Sequence, residues 1–217
     1  MKFIQQPKRL KIENKDPDVK EKRIPRHSDL LPDTIRCIVC GPSNCGKTNV
    51  VLCLLLEKNG LKFENVYLYS KTPFQAKYEQ LRLVFGENVE IVKPRDAKKN
   101  SIFIFDDVAC DKHDVMREYF SMGRHSGVDC FYLGQTYSRI PKQLIRDNAN
   151  LLVIFKQDDT NLRHVYDDHI TTDMSFNTFK TMCSLCWENK YGFLVVDKDG
   201  ELETGRYRKG FDVYIKP

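Results

Sequence analysis

The sequence predicts an α/β protein with a mostly parallel central sheet flanked by helices. Three observations point there. Short continuous apolar runs, Ile102-Phe103-Ile104-Phe105 among them, read as strands buried on both faces. Segments of helical character separate these runs, and strand–helix alternation builds parallel sheets. A glycine-rich loop joins the first strand to the first helix, and ligands of such sheets sit beyond the carboxyl ends of the strands.

The elements follow in order. Thr34 to Cys40 reads as the first buried strand and Thr48 to Lys58, rich in Leu, as the helix after the loop. Asn65 to Ser70 is a second strand, Phe74 to Phe85 a helix, and Asn88 to Val92 a short strand stopped by Pro94. Lys93 to Asn100 is a basic loop. Ser101 to Asp107 is a strand ended by two carboxylates, and Asp111 to Met122 is a helix. Val128 to Gln135 is a further strand. Pro141 opens a short helix, a residue suited to the first helical turn. Asn150 to Phe155 is a strand, Thr160 to Asp168 and Ser175 to Asn189 are helices, and strands near Tyr191 to Val196 and Phe211 to Ile215 close the chain.

A chain of 217 residues, 41% apolar, suits one domain and a tail. The domain is expected over 33–217, behind a basic arm over 1–32. The first thirty residues hold nine Lys or Arg against five acids and few apolar groups. Such an arm stays open to nucleic-acid phosphates or straps onto a neighbouring subunit. No apolar run approaches the roughly 20 residues of a membrane span, and Met1 to Gln6 lacks a signal peptide's apolar stretch. The expectation is a soluble intracellular protein without a transmembrane segment. Of the eight cysteines, Cys37, Cys40, Cys53 and Cys130 fall on strands or a helix and Cys45 in the loop. They read as small hydrophobes of a reducing compartment. Cys37-x-x-Cys40 and Cys183-x-x-Cys186 match zinc spacing, but residues three apart on a strand face opposite ways.

The chemistry concentrates in Gly41-Pro42-Ser43-Asn44-Cys45-Gly46-Lys47-Thr48, which fits G-x-x-x-x-G-K-[ST]. In a phosphate-binding loop of this spelling, glycines let backbone N–H groups turn around phosphate oxygens, and the lysine reaches the β- and γ-phosphates. Thr48 offers a hydroxyl to Mg²⁺, and the helix adds its positive end. Asp106, ending an apolar strand, is the second candidate for Mg²⁺. Asp107 is placed to orient and deprotonate the attacking water. Gln135, ending the next strand, is placed to sense the γ-phosphate. A strand between the loop and Asp106 suggests the additional-strand (ASCE, RecA-like) branch of P-loop NTPases. A guanine-reading Asn-Lys-x-Asp is absent after the loop, so ATP is the expected nucleotide.

A narrower resemblance rests on Gly123-Arg124-His125-Ser126-Gly127-Val128, Leu133-Gly134-Gln135-Thr136, Leu144-Ile145-Arg146-Asp147-Asn148 and Ile154-Phe155-Lys156. In this order they resemble the FtsK/HerA superfamily. Within it they are most similar to the poxvirus-type genome-packaging ATPases of large DNA viruses, virophages and Polinton-like elements. Arg124-His125, Ile140-Pro141 and Ile145-Arg146-Asp147-Asn148 carry the narrower match, which spans about 34–156. The resemblance implies a homo-oligomeric ring, six subunits being the family expectation, that moves double-stranded DNA into a capsid. It also implies capsid-protein partners and work at a viral assembly site or in the virion. An arginine from a neighbouring subunit then completes each site. Arg124 matches the family's Gly-Arg element, with Arg139 and Arg146 as alternatives. No nuclease or portal-docking domain is recognised, a departure from terminase-type packaging proteins. Lys71, Lys93, Arg95, Lys98 and Lys99 sit on loops suited to a pore or to a solvated face. Two other functions use the same loop and acids. One is a helicase or recombination ATPase on single strands. The other is a nucleotide-gated assembly protein with little turnover.

Overall fold

The computed structural model describes residues 26–70, 78, 96–106 and 113–217. Eight strands form one sheet in the order β2-β3-β4-β1-β5-β6-β7-β8. They are β1 (Arg36–Cys40), β2 (Asn65–Ser70), β3 (Ser101–Asp106), β4 (Val128–Gly134), β5 (Leu151–Phe155), β6 (Phe193–Asp197), β7 (Tyr207–Lys209) and β8 (Val213–Ile215). From β2 through β5 all neighbours are parallel, and β6, β7 and β8 extend the sheet antiparallel. The mostly parallel sheet is as expected. The predicted helix over 74–85 and the strand over 88–92 lie outside the described residues, apart from Tyr78.

The central strands are apolar throughout because both faces are covered. Every residue of β3, β4 and β5 is buried. Side chains alternate between two cores. Ile38, Phe103, Phe105, Cys130, Tyr132, Leu152 and Ile154 face one, with α2 (His113–Ser126), α3 (Asp159–His169) and α4 (Phe176–Cys186). Cys37, Val39, Ile102, Ile104, Phe131, Leu133 and Val153 face the other, under α1 (Lys47–Leu56). Each fully buried Leu, Ile or Phe contributes about 1.5–3 kcal/mol, so neither face can be left open.

This alternation settles the first cysteine pair. Cys40 lies in one core and Cys37 in the other. Cys183 and Cys186 are buried in α4. No group of three or more metal-ligating side chains occurs among the described residues. Burial pushes the Cys40 thiol up to about 12 and that of Cys186 to about 11, as expected of inert core thiols. Cys53 departs from the expectation: it is exposed on the outer side of α1.

The short helix expected after Pro141 is present as one π-helical turn over Lys142–Arg146, with Arg146 N–H donating to the Pro141 carbonyl and Asp147 N–H to that of Lys142. β7 escapes the sequence reading because Tyr-Arg-Lys is too short and polar to show a period. The last residues of the expected arm, 26–32, pack on the domain. Asp129, fully buried in β4, accepts from Ile35 N–H at 2.8 Å and pairs with Arg26 at 3.2 Å. His27 Nδ1 accepts from Lys62 N–H, so its Nε2 carries the proton and donates to Asp129 at 3.0 Å. Residues 1–25 lie outside the described ones. No helix among the described residues is long and apolar enough to cross a membrane.

Candidate functional site

The carboxyl ends of β1, β3, β4 and β5 meet at one edge of the sheet. Cys40 is level with Gly134 on one side and Ile154 on the other, and Asp106 is level with Leu133. The chain leaves β1 into the loop 41–46. Gly41 N–H donates to the Gly134 carbonyl at 3.1 Å, which anchors the loop to β4. A Cβ on Gly41 would lie 2.6 Å from Phe155 Cβ and 2.7 Å from Cys45 Sγ, so no larger residue fits. Asn44 (φ 60°) and Gly46 (φ 112°) adopt the left-handed conformation, the kind of turn that forms anion-binding concavities. Pro42, Ser43 and Asn44 are exposed at its tip.

Gly46 stands at the start of α1 and offers no side-chain cap. The first N–H groups of α1 and the positive end of its dipole therefore face the loop without a carboxylate or hydroxyl to satisfy them. Lys47 Nζ lies across the loop and donates to the carbonyls of Gly41 at 2.7 Å and Pro42 at 2.9 Å.

Asp106 follows Ile104 in the alternation and so faces α1. Its carboxylate accepts from the Tyr78 hydroxyl, and the Thr48 side chain lies beside that same hydroxyl. Burial, and next the bond to Asp106, hold the Tyr78 hydroxyl protonated well above its ordinary range. Thr48 and Asp106 thus converge within reach of a single oxygen atom. Two oxygen ligands brought this close suit a hard cation such as Mg²⁺. In the sequence Tyr78 is simply one residue of the helix expected over 74–85. Its ring is buried, but its hydroxyl joins the two metal candidates, which no local pattern announces.

Gln135 leaves β4 on the face of α1 and accepts a hydrogen bond from Ser43 Oγ at 3.4 Å. Beside it lies a cavity of about 510 Å³ lined by Ser43, Gln135, Thr136, Lys156, Gln157 and Asp158. Asp158 caps α3 by accepting from Asn161 N–H at 2.8 Å. Asp107 lies outside the described residues.

The three candidate arginines separate cleanly. Arg146, 9% exposed, pairs with Asp168 at 2.6 Å and lies over the Tyr137 ring. It is committed within its own chain. Arg139 is exposed beside the loop edge. Arg124 is carried by the last turn of α2, just before β4 begins. The seven residues of β4 span roughly 20 Å, so Arg124 and the phosphate loop stand at opposite ends of the sheet. Of the basic pore candidates, Lys98 and Lys99 are exposed and precede β3, at that same far end. Lys71, Lys93 and Arg95 fall outside the described residues.

A second polar cluster lies at the far end of α3 from the loop. Tyr137 hydroxyl approaches His169 Nε2 at 2.7 Å and Asp168 at 3.2 Å, and Lys142 also pairs with Asp168 at 3.2 Å. Burial first, then the cation of Lys198, lowers His169 to about 4. The ring is therefore neutral at pH 7. Nε2–H donates to Tyr137, whose hydroxyl donates to Asp168, and Nδ1 is left as an unpaired buried acceptor.

No family model matches the sequence, nor does any curated protein. Solved structures do match. Genome packaging NTPase B204 from Sulfolobus turreted icosahedral virus 2, in complex with sulfate, superposes with a TM-score of 0.56 at 13% identity, over 84% of this chain and 98% of that one. The chain shares the backbone fold of that protein. The same protein in complex with ATP-gammaS gives 0.54 at 12% identity over 85% and 100%. With AMPPCP it gives 0.54 at 12% over 78% and 95%. These likenesses lie in backbone architecture and bear out the α/β fold class.

Proposed function

We propose that this chain is a Mg²⁺-dependent ATPase that drives double-stranded DNA into a viral or virus-like capsid. One observation carries the reading. An uncapped helix start, Lys47, Thr48 and Asp106 meet at the edge of a fold shared almost end to end with a genome-packaging NTPase. The position of β4 between β1 and β3 supports the additional-strand branch.

The chemistry follows from the geometry. The loop N–H groups and the start of α1 receive the β- and γ-phosphates. Lys47 exchanges two loop carbonyls for phosphate oxygens, so its charge is already in place. Thr48 and Asp106 would hold Mg²⁺, which offsets charge on the β- and γ-phosphate oxygens. Asp107, next along the chain, takes a proton from the attacking water, and Gln135, steadied by Ser43, positions that water. Arg124, at the far end of β4, completes a neighbour's site rather than its own. This fits a ring of copies, six in the family expectation, closing around duplex DNA next to capsid proteins. The domain spans 33–217, with the basic arm ahead of it.

The test is steady-state ATP hydrolysis by wild type and Lys47→Ala, without DNA, with single strands and with duplex. Duplex-stimulated turnover that the substitution abolishes supports the proposal. Stimulation by single strands alone would instead favour a helicase or recombination ATPase. Tight ATP binding with negligible turnover would favour a nucleotide-gated assembly protein.

A further inference from the structure

The phosphate loop has a second neighbour, on the side away from Gln135. A groove of about 420 Å³ runs along α1. Its floor is Gly46, Asn49, Val50, Cys53 and Glu57, the three- and four-residue spacing of one helix face. Its wall is aromatic: Phe155, Tyr191, Phe193 and Phe211. Phe193 holds the wall together, with ring centroids 5.3 Å from Phe155 and 5.8 Å from Phe211. Tyr191 stands free of that packing, 56% exposed. A Cβ on Gly46 would lie 3.5 Å from the Phe155 ring and 3.7 Å from that of Tyr191. The near end of the groove is therefore the phosphate loop itself.

We infer that this groove takes the purine base of the nucleoside triphosphate, with the base stacked on Tyr191. The inference rests on the reading of Gly41–Thr48 as the phosphate site. A nucleotide held there carries a flat aromatic base one ribose away from its α-phosphate, and the groove runs from the loop along α1. Its lining offers ring surface, Glu57 repels a second anion, and a neighbouring cation, Lys190, lies 5.2 Å from the centroid of the Tyr191 ring. An aromatic face rewards stacked area and treats every base as a π-surface. Purines, with two fused rings, gain more than pyrimidines. The loop thus divides two cavities: the polar one at Gln135 serves the terminal phosphate, and the apolar one at Tyr191 serves the base.

The experiment measures calorimetric affinities of the full chain for AMPPCP, its cytidine analogue CMPPCP and inorganic tripolyphosphate. The proteins are wild type, Tyr191→Ala, Tyr191→Phe and Lys47→Ala. Tyr191→Ala is expected to weaken AMPPCP by about 10-fold to 100-fold and to leave tripolyphosphate within about twofold. Tyr191→Phe keeps the ring and restores AMPPCP, and wild type prefers AMPPCP to CMPPCP. Unchanged AMPPCP affinity in Tyr191→Ala, or an equal loss for both probes, overturns the inference. Tripolyphosphate binding that Lys47→Ala leaves intact overturns instead the reading of the phosphate loop.

Discussion

Two polar regions of the fold are finished differently: the phosphate loop at the carboxyl edge of the sheet, and the cluster around Asp168 at the other end of α3. Around Asp168 the chain pairs its charges internally: Arg146 and Lys142 meet the carboxylate, and Tyr137 ties it to His169. Around the phosphate loop the chain leaves its groups open. Lys47 rests on two neutral carbonyls, and α1 begins without a cap, whereas Asp158 and Ser175 cap α3 and α4. A buried cluster whose charges are paired holds a fold together. A cluster that ends in donors aimed at one point is shaped for a ligand.

The comparison can be broken most forcefully at Arg146. Arg146→Leu leaves the buried Asp168 carboxylate with only Lys142 and Tyr137 and should cost up to about 3–5 kcal/mol of stability, read from urea unfolding. A loss below about 1 kcal/mol would show that Asp168 does not depend on it. Lys47→Ala should do the reverse. Turnover is expected to fall by about 10²–10³-fold with the unfolding midpoint nearly unmoved, and a large loss of stability would mean that Lys47 serves the fold.

A pH series sharpens the contrast. His169 sits near 4 in the folded chain against an ordinary value of 6.5, so the unfolded chain takes up the proton first as pH falls. The stability it contributes is complete above pH 6.5 and is lost on descent towards pH 4, on the order of 3 kcal/mol. His169→Gln should flatten the stability profile in that window, and an unchanged slope would assign the effect elsewhere. The smallest effect is expected at Tyr78→Phe. It frees Thr48 and Asp106 from a shared hydroxyl and should shift the Mg²⁺ concentration for half-maximal turnover by about tenfold or less. No shift would leave Tyr78 with a packing role alone.

Much of the fold was legible because the central strands announce themselves. Ile102 to Phe105 and Leu151 to Phe155 are apolar runs that need cover on both faces, and Asn65–Ser70 was located with its observed bounds. The opposed faces of Cys37 and Cys40 followed from the period of a strand alone. The phosphate loop was legible because its chemistry lies in eight consecutive residues. What stayed hidden depends on contacts between distant parts of the chain. Tyr78 meets Asp106, Arg146 meets Asp168, and Tyr191 closes over Gly46 from 145 positions away. In each case the residue types are ordinary, and only folding brings them together.

The length of β4 sets one further limit. Its seven buried residues run between β3 and β1, with Arg124 just before one end and Gln135 just after the other. Such a strand acts as a ruler. Inserting one residue would turn every later side chain to the wrong face, and inserting two would need matching growth in both neighbours. The span from Val128 to Gln135 is thus fixed by the hydrogen-bond register of the sheet.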